Sequence, residues 1–130
     1  LILAQEFMPT SFDWRIGVLD GQPLFACQYL MAKSHWQIVK HNDDGAAEEG
    51  RAKTYPLDEV SPEVVDVATR AARLIGRGLY GVDLKQNERG VFVIEINDNP
   101  NLDHGIEDAA GKNEVWRRIV QWFIDAVERR

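Results

Sequence analysis

Cysteine is almost absent from this chain: Cys27 stands alone. One thiol closes no internal disulfide, so a reducing, cytoplasmic compartment is the default expectation. Long apolar runs are also missing. No stretch approaches the roughly 20 residues of a membrane span, and no basic segment leads an apolar one as in a signal peptide. Positive charge is scarce: 15 Lys and Arg against 21 Asp and Glu leave a formal net charge of −6. That balance argues against nucleic acid as the main partner. His35, His41 and His104 keep no zinc-ligand spacing with a second ligand pair. Neither a Gly-rich phosphate loop nor a nucleophile-elbow serine is present. Structural zinc, P-loop and serine-hydrolase chemistry therefore drop out.

What remains is an ordinary globular composition, 45% hydrophobic over 130 residues, which suits one domain with a real core. The chain opens on Leu1-Ile2-Leu3-Ala4, and we read Leu1 to Met8 as a buried strand ending at Pro9. An opening in mid-strand suggests a piece of a longer protein. Phe12 to Leu19 and Pro23 to Met31 flank Asp20-Gly21, a two-residue hairpin turn signal. Trp14, Ile16 and Val18 should point one way, and Asp13, Arg15 and Gly17 the other. Trp36 to Val39 reads as a short strand. His41 to Lys53 is polar and reads as a loop, either a functional lid or a disordered segment. Lys33, Lys40, Arg51 and Lys53 cluster around it, as a solvated rim or as cations that neutralise phosphate or carboxylate. Cys27 falls inside a strand and reads as a small core residue rather than a nucleophile.

Ser61-Pro62-Glu63 opens a helix whose stripe is Val64, Val67, Ala68, Ala71 and Ile75, with Ser61 as N-cap. A second helix spans about Asn113 to Glu128, with Trp116, Ile119, Val120, Phe123 and Val127 expected in the core. The order of strands, helix, hairpin and helix predicts an α+β layer, a mainly antiparallel sheet with helices packed on one face.

The informative stretch is the last hairpin, Gly81-Val82-Asp83-Leu84-Lys85 and Val93-Ile94-Glu95-Ile96-Asn97, joined through Asn87-Glu88-Arg89-Gly90. A three-residue loop, Glu88 to Gly90, would pair Asn87 with Val91 and so set Asp83 opposite Glu95. Asn97 would then share their face. A slip of one residue would move Asp83 to the other face. Opposed like charges are destabilising. Two carboxylates and an amide oxygen gathered there read either as an exposed acidic face or as ligands for a hard divalent cation such as magnesium.

Gln5-Glu6-Phe7-Met8, Asp13-Trp14-Arg15, Gly81-Val82-Asp83 and Glu95-Ile96-Asn97 followed by Asn99-Pro100 resemble, as an ordered set, the C-terminal half of the ATP-grasp superfamily. The nearest likeness is to RimK-like glutamate ligases and bacterial glutathione synthetases, from the first strand to Ile106-Glu107. The resemblance implies that residues 1–130 form the C-terminal lobe of an ATP-dependent carboxylate–amine ligase. It implies ATP and Mg2+ (or Mn2+), two ions, as cofactors. A small-molecule or peptide carboxylate and an amine or amino-acid acceptor would be the substrates, in an assembly that admits oligomers. Gln5, Glu6, Phe7 and Met8 match the adenine hinge, Asp13 a ribose-side acid, and Ile94 the residue beneath adenine. Asp83, Glu95 and Asn97 match the metal ligands; Arg15, Asn99 and, beside it, Asn101 match positions near the phosphates or acceptor. Related ligases carry arginines where this chain has Gln28-Tyr29-Leu30-Met31-Ala32-Lys33, which leaves both substrates open. The alternative is a non-catalytic ATP-grasp module that binds nucleotide as sensor or scaffold.

Overall fold

The structure, a computed structural model, describes residues 2, 4–30, 39–41, 47–49 and 52–129. Strands β1 (Phe12–Leu19) and β2 (Gln22–Leu30) form a hairpin, and two short strands follow, β3 (Val39–His41) and β4 (Ala47–Glu49). Then come β5 (Ala52–Tyr55), a 3-10 turn (Leu57–Glu59), α1 (Pro62–Ile75), β6 (Leu79–Asn87), β7 (Gly90–Asn97) and α2 (Asn113–Glu128). The main sheet has the order β5-β2-β1-β6-β7, and β3 and β4 pair with each other. Every pairing is antiparallel. The expected α+β class with a mainly antiparallel sheet is what is observed.

Alternation along the strands divides the main sheet into two faces. One carries Trp14, Ile16 and Val18 of β1, Ala26 of β2, and Val82 and Leu84 of β6, packed with Val64, Ala68 and Ala72 of α1. Full burial of each larger aliphatic group contributes about 1.5–3 kcal/mol. The opposite face carries Phe25 and Cys27, which join Leu19, Leu24, Val115 and Ile119 in a second cluster. The two helices thus serve different sides of the sheet: α1 covers the apolar face and α2 adds to the cluster on the other. Asp20 and Gly21, both with positive φ (50° and 72°), close the β1–β2 turn with Leu19 paired to Gln22. That is the twist-compatible two-residue turn the Asp-Gly pair favours. Cys27 is fully buried, and burial pushes its thiol up to about 11.

Several expectations are corrected. Among the described residues, 2 and 4–8 form no strand, and Ile2 and Phe7 are largely exposed. Apolar composition alone did not supply a pairing partner for this segment. The expected loop from His41 to Lys53 contains β4 and the start of β5, because a sheet edge on β2 accepts Ala52 to Tyr55. Residues 42–46 and 50–51, and the Trp36 to Ile38 part of the short strand, lie outside the described residues. Ser61 makes no side-chain cap bond; Pro62 starts the helix with its fixed φ, and Ser61 contributes its backbone carbonyl to Val65 N–H. Ile75, placed on the buried stripe, is exposed at the end of α1. In α2, Val120, Phe123 and Val127 are each more than half exposed, while Val115 and Ile119 are buried. The helical period was correct, but the cluster it meets is narrow enough to cover only the first half of the stripe.

Candidate functional site

Asp83 and Glu95 do face each other, though by a different route from the one the spacing suggested. The turn is only two residues long: Asn87 pairs with Gly90, and Asn87 Oδ1 accepts the Arg89 backbone N–H. That tighter turn shifts the register by one, so Leu84 meets Val93. A bulge then inserts Ile94 opposite the Asp83/Leu84 step and restores the pairing of Asp83 with Glu95, Val82 with Ile96 and Gly81 with Asn97. A bulge adds one unpaired residue to one strand and re-aims the side chains beyond it. Without it, Glu95 would oppose Val82 and turn into the apolar face. Directly opposed residues bring their Cβ atoms to roughly 4.5–5.5 Å.

The same face gathers a polar network. Arg15 of β1 lies opposite Asp83 and grips both its oxygens, Nε to Oδ1 at 2.7 Å and Nη2 to Oδ2 at 2.8 Å. The bidentate contact raises the already high pKa of Arg15 against the opposing effect of burial. Asn97 Nδ2 lies 3.5 Å from Asp83 Oδ2. Glu95 is exposed and makes no ion pair among the described residues. The Arg15 guanidinium also sits 5.2 Å from the centre of the Tyr29 ring. Tyr29 donates its hydroxyl to Glu107 Oε1, and Glu107 Oε2 accepts the Asp103 backbone N–H at 2.7 Å. Burial, then the Glu107 bond, push the Tyr29 hydroxyl pKa upward, so it remains a donor. Glu107 is only 1% exposed. The loop from Asp98 to Lys112 is thereby fastened to the sheet on the side of the site. Pro100 fastens it a second time: a Cβ on Gly81 would lie 2.7 Å from Pro100 Cβ, so this packing requires glycine.

The expected nucleotide-side residues come together only in part. Gln5 Nε2 donates to the Ile94 carbonyl at 3.4 Å, joining the hinge segment to the bulge. Glu6, Phe7 and Met8 follow in an extended segment in which Phe7 is 69% exposed. Ile94 is half-buried and belongs to neither apolar cluster. Asp13 already has partners: Lys85 Nζ donates to its Oδ1 at 2.6 Å and to Thr10 Oγ1 at 2.8 Å, and Thr10 donates to the same carboxylate oxygen. Asn99 and Asn101 are exposed on the loop. Lys53 pairs opposite Gln28 and lies 4.5 Å over the Tyr55 ring, on the face away from Asp83. Of the other three cations in that cluster, Lys33 and Arg51 and the side chain of Lys40 lie outside the described residues. Sequence reasoning missed Lys85, Tyr29 and Glu107. Their partners are 72 to 78 residues away in the chain, and local spacing carries no trace of them. The one available signal was an isolated Lys in an otherwise aliphatic strand.

Among the described residues, no group of three His, Cys, Asp or Glu side chains converges as a ready metal cage. The hard oxygen donors of Asp83, Glu95 and the Asn97 amide do fit a cation that brings further oxygen ligands with it.

Comparison with known proteins agrees with this geometry. Residues 2–119 match a family model of the ATP-grasp domain, family 3 of its clade. The chain is 43% identical over 127 residues to a probable alpha-L-glutamate ligase of Xanthomonas campestris pv. campestris, covering 96% of this chain and 40% of that protein. It is 41% identical over 131 residues to a probable alpha-L-glutamate ligase 1 of Shewanella amazonensis, covering 99% and 40%. The chain spans about two-fifths of the length of the curated relatives it matches. Among solved structures, the ATP-grasp ligase PsnB, complexed with a phosphomimetic variant of its minimal precursor, Mg and ADP, superposes with a TM-score of 0.59 at 26% identity. That match covers 90% of this chain and 34% of PsnB. D-alanine–D-alanine ligase from Bacillus anthracis shares the fold, with a TM-score of 0.58 at 14% identity over 95% of this chain and 43% of that one. This chain belongs to the ATP-grasp family, among relatives of the RimK-like glutamate ligases.

Proposed function

We propose that this chain is the C-terminal lobe of an ATP- and magnesium-dependent carboxylate–amine ligase that makes an amide through an acylphosphate. The observation that carries the reading is the bulge-restored pairing of Asp83 with Glu95, with Asn97 on the same face and the Arg15 guanidinium against Asp83. Asp83, Glu95 and the Asn97 amide oxygen would hold magnesium or manganese, as two ions that arrive with ATP. Bound there, the metal supplies charge neutralisation at the phosphates. The extended segment from Gln5 to Met8, tied to Ile94, offers backbone groups to the adenine edge, and Ile94 an apolar surface beneath it. Asp13 stands on the ribose side, held in place by Lys85 and Thr10. Arg15 is the cation next to the transferred phosphoryl group, and Asn99 and Asn101 reach toward the acceptor. Phosphoryl transfer depends mainly on positioning and charge, so this set needs no protein nucleophile. The substrates are a small-molecule or peptide carboxylate and an amino-acid amine, in a reducing, cytoplasmic setting, and association into oligomers is compatible with the fold.

In the full-length protein, phosphate release from ATP should depend on adding both a carboxylate and one of the twenty amino acids. Asp83→Asn combined with Glu95→Gln should lower that rate at least about 10²-fold. No amine-dependent release, or no loss in the double variant, overturns the reading. A second reading, a nucleotide-binding module that senses or scaffolds, is favoured by one observation: Arg15 occupies both oxygens of Asp83. Nucleotide binding without amine-dependent turnover would select it.

A further inference from the structure

The loop from Asp98 to Lys112 carries one group that the ligase reading leaves unused. His104 Nδ1 lies 2.7 Å from Asp108 Oδ2. The same Asp108 oxygen accepts Trp116 Nε1–H at 2.7 Å, and Oδ1 accepts the Gly105 backbone N–H at 2.6 Å. Asp108 is buried, whereas the His104 side chain is 92% exposed. We propose that His104 is the general base that takes the proton from the incoming amine, with Asp108 as the residue that positions it. This inference rests on the ligase reading and names the group that serves its second half.

The Asp108 carboxylate is surrounded by donors. The Trp116 N–H, the Gly105 N–H and His104, in that order, hold it well below the usual carboxylate range, at about 2. It is therefore an acceptor only, and the proton it meets on neutral His104 must be on Nδ1. Nε2 then carries the lone pair, and it points away from Asp108 with the exposed end of the ring. This is the division of roles in which a carboxylate fixes the tautomer of a histidine base. Location supports the assignment. His104 sits between two points where the loop is fastened to the site's side of the sheet. One is Pro100 over Gly81; the other is Glu107 on Tyr29, whose ring carries the arginine that grips Asp83. Asn99 and Asn101 occupy the same loop.

The chemistry requires such a group. An amino-acid amine is protonated at neutral pH and has no lone pair with which to attack. His104 Nε2 accepts one proton from the ammonium group. The freed nitrogen pair forms the C–N bond at the acyl carbon, and the C–O bond to phosphate breaks with its electrons leaving on inorganic phosphate. The imidazolium returns its proton to solvent.

The test offers two amines to the full-length protein, with ATP, magnesium and the carboxylate that supports phosphate release. One is the amino acid that supports release; the other is hydroxylamine, which is largely unprotonated at neutral pH and needs no base. In His104→Gln the ratio of amide to hydroxamate should fall about 10²-fold or more, the usual scale of general-base assistance. His104→Ala should behave likewise, and added imidazole should restore part of the amide rate without changing hydroxamate formation. An exposed side chain can be exchanged with little effect on folding. If both rates fall in parallel, or neither falls, His104 is not the base and the proposal is overturned. If the unaltered protein forms neither product, the ligase reading itself fails, and this inference with it.

Discussion

Arg15 and Ile16 are neighbours in β1, yet they belong to different environments. Ile16 is fully buried among Val18, Val82, Leu84 and the inner side of α1. Arg15 turns to the opposite face, where it meets Asp83, Tyr29 and, beyond them, Glu107. One face is held by burial, which is non-directional and tolerant of shape as long as volume is kept. The other is held by directed bonds between groups that each have a defined partner, and its members lose more when a partner is removed than when a contact is merely loosened. The same strands thus provide a stiff backing and, on the reverse, a surface whose chemistry can change without disturbing the core.

Breaking the apolar face should have the largest effect. Ile16→Ala in the full-length protein should destabilise this lobe by about 2–5 kcal/mol, read as a fall in the urea midpoint, because a fully enclosed side chain leaves a cavity. Nucleotide-dependent properties should decline only with the folded fraction. On the polar face, Tyr29→Phe removes the hydroxyl donor from a buried Glu107 carboxylate oxygen. It should cost about 1–3 kcal/mol by the same measurement, and the loop from Asp98 to Lys112 should become more sensitive to protease. A loss as large as that of Ile16→Ala would blur the distinction between the faces.

Acid provides a gentler probe. The folded-state pKa of Asp108 is depressed to about 2 from an ordinary 3.8. Its contribution is therefore complete above about pH 4 and is lost as pH falls toward 2. Between those values the urea midpoint of the unaltered protein should drop, and Asp108→Asn should lack that part of the drop. The smallest effect is expected on the outer side of α2. Val127 is 71% exposed, and Val127→Gln should shift stability by no more than about 0.5 kcal/mol. A large loss there would mean that the exposed half of the stripe is packed against something in the full-length protein.

The two faces also differ in how far they could be read from the sequence. Alternation placed Trp14, Ile16 and Val18 on one side and Arg15 on the other, and the Asp20-Gly21 turn and both helices fell where the pattern put them. Periodicity reports which residues share a side, so it served the apolar face well. It does not report what lies opposite. The second half of the α2 stripe stays exposed, and the segment before Pro9 has no strand to pair with among the described residues. For the polar face, the acids of the last hairpin were legible because the hairpin is local. Arg15 on Asp83, Lys85 on Asp13 and Tyr29 on Glu107 join residues 68 to 78 positions apart, and no spacing rule anticipates them. Even the correct pairing of Asp83 with Glu95 came from two compensating differences, a turn one residue shorter and a bulge one residue longer.

That bulge separates the fate of the hairpin tip from the fate of the carboxylates. Losing one residue from β7 between Val93 and Glu95 would straighten the strand and leave Asp83 facing Glu95, with Leu84 still facing Val93. The strand holds one residue of slack, so a single-residue deletion at this point is geometrically silent for the acidic pair. The same deletion on the other side of Glu95 would pull Asn97 out of line with Gly81. Tolerance to length change should therefore be lopsided across Glu95, generous toward the turn and strict toward the loop that begins at Asp98.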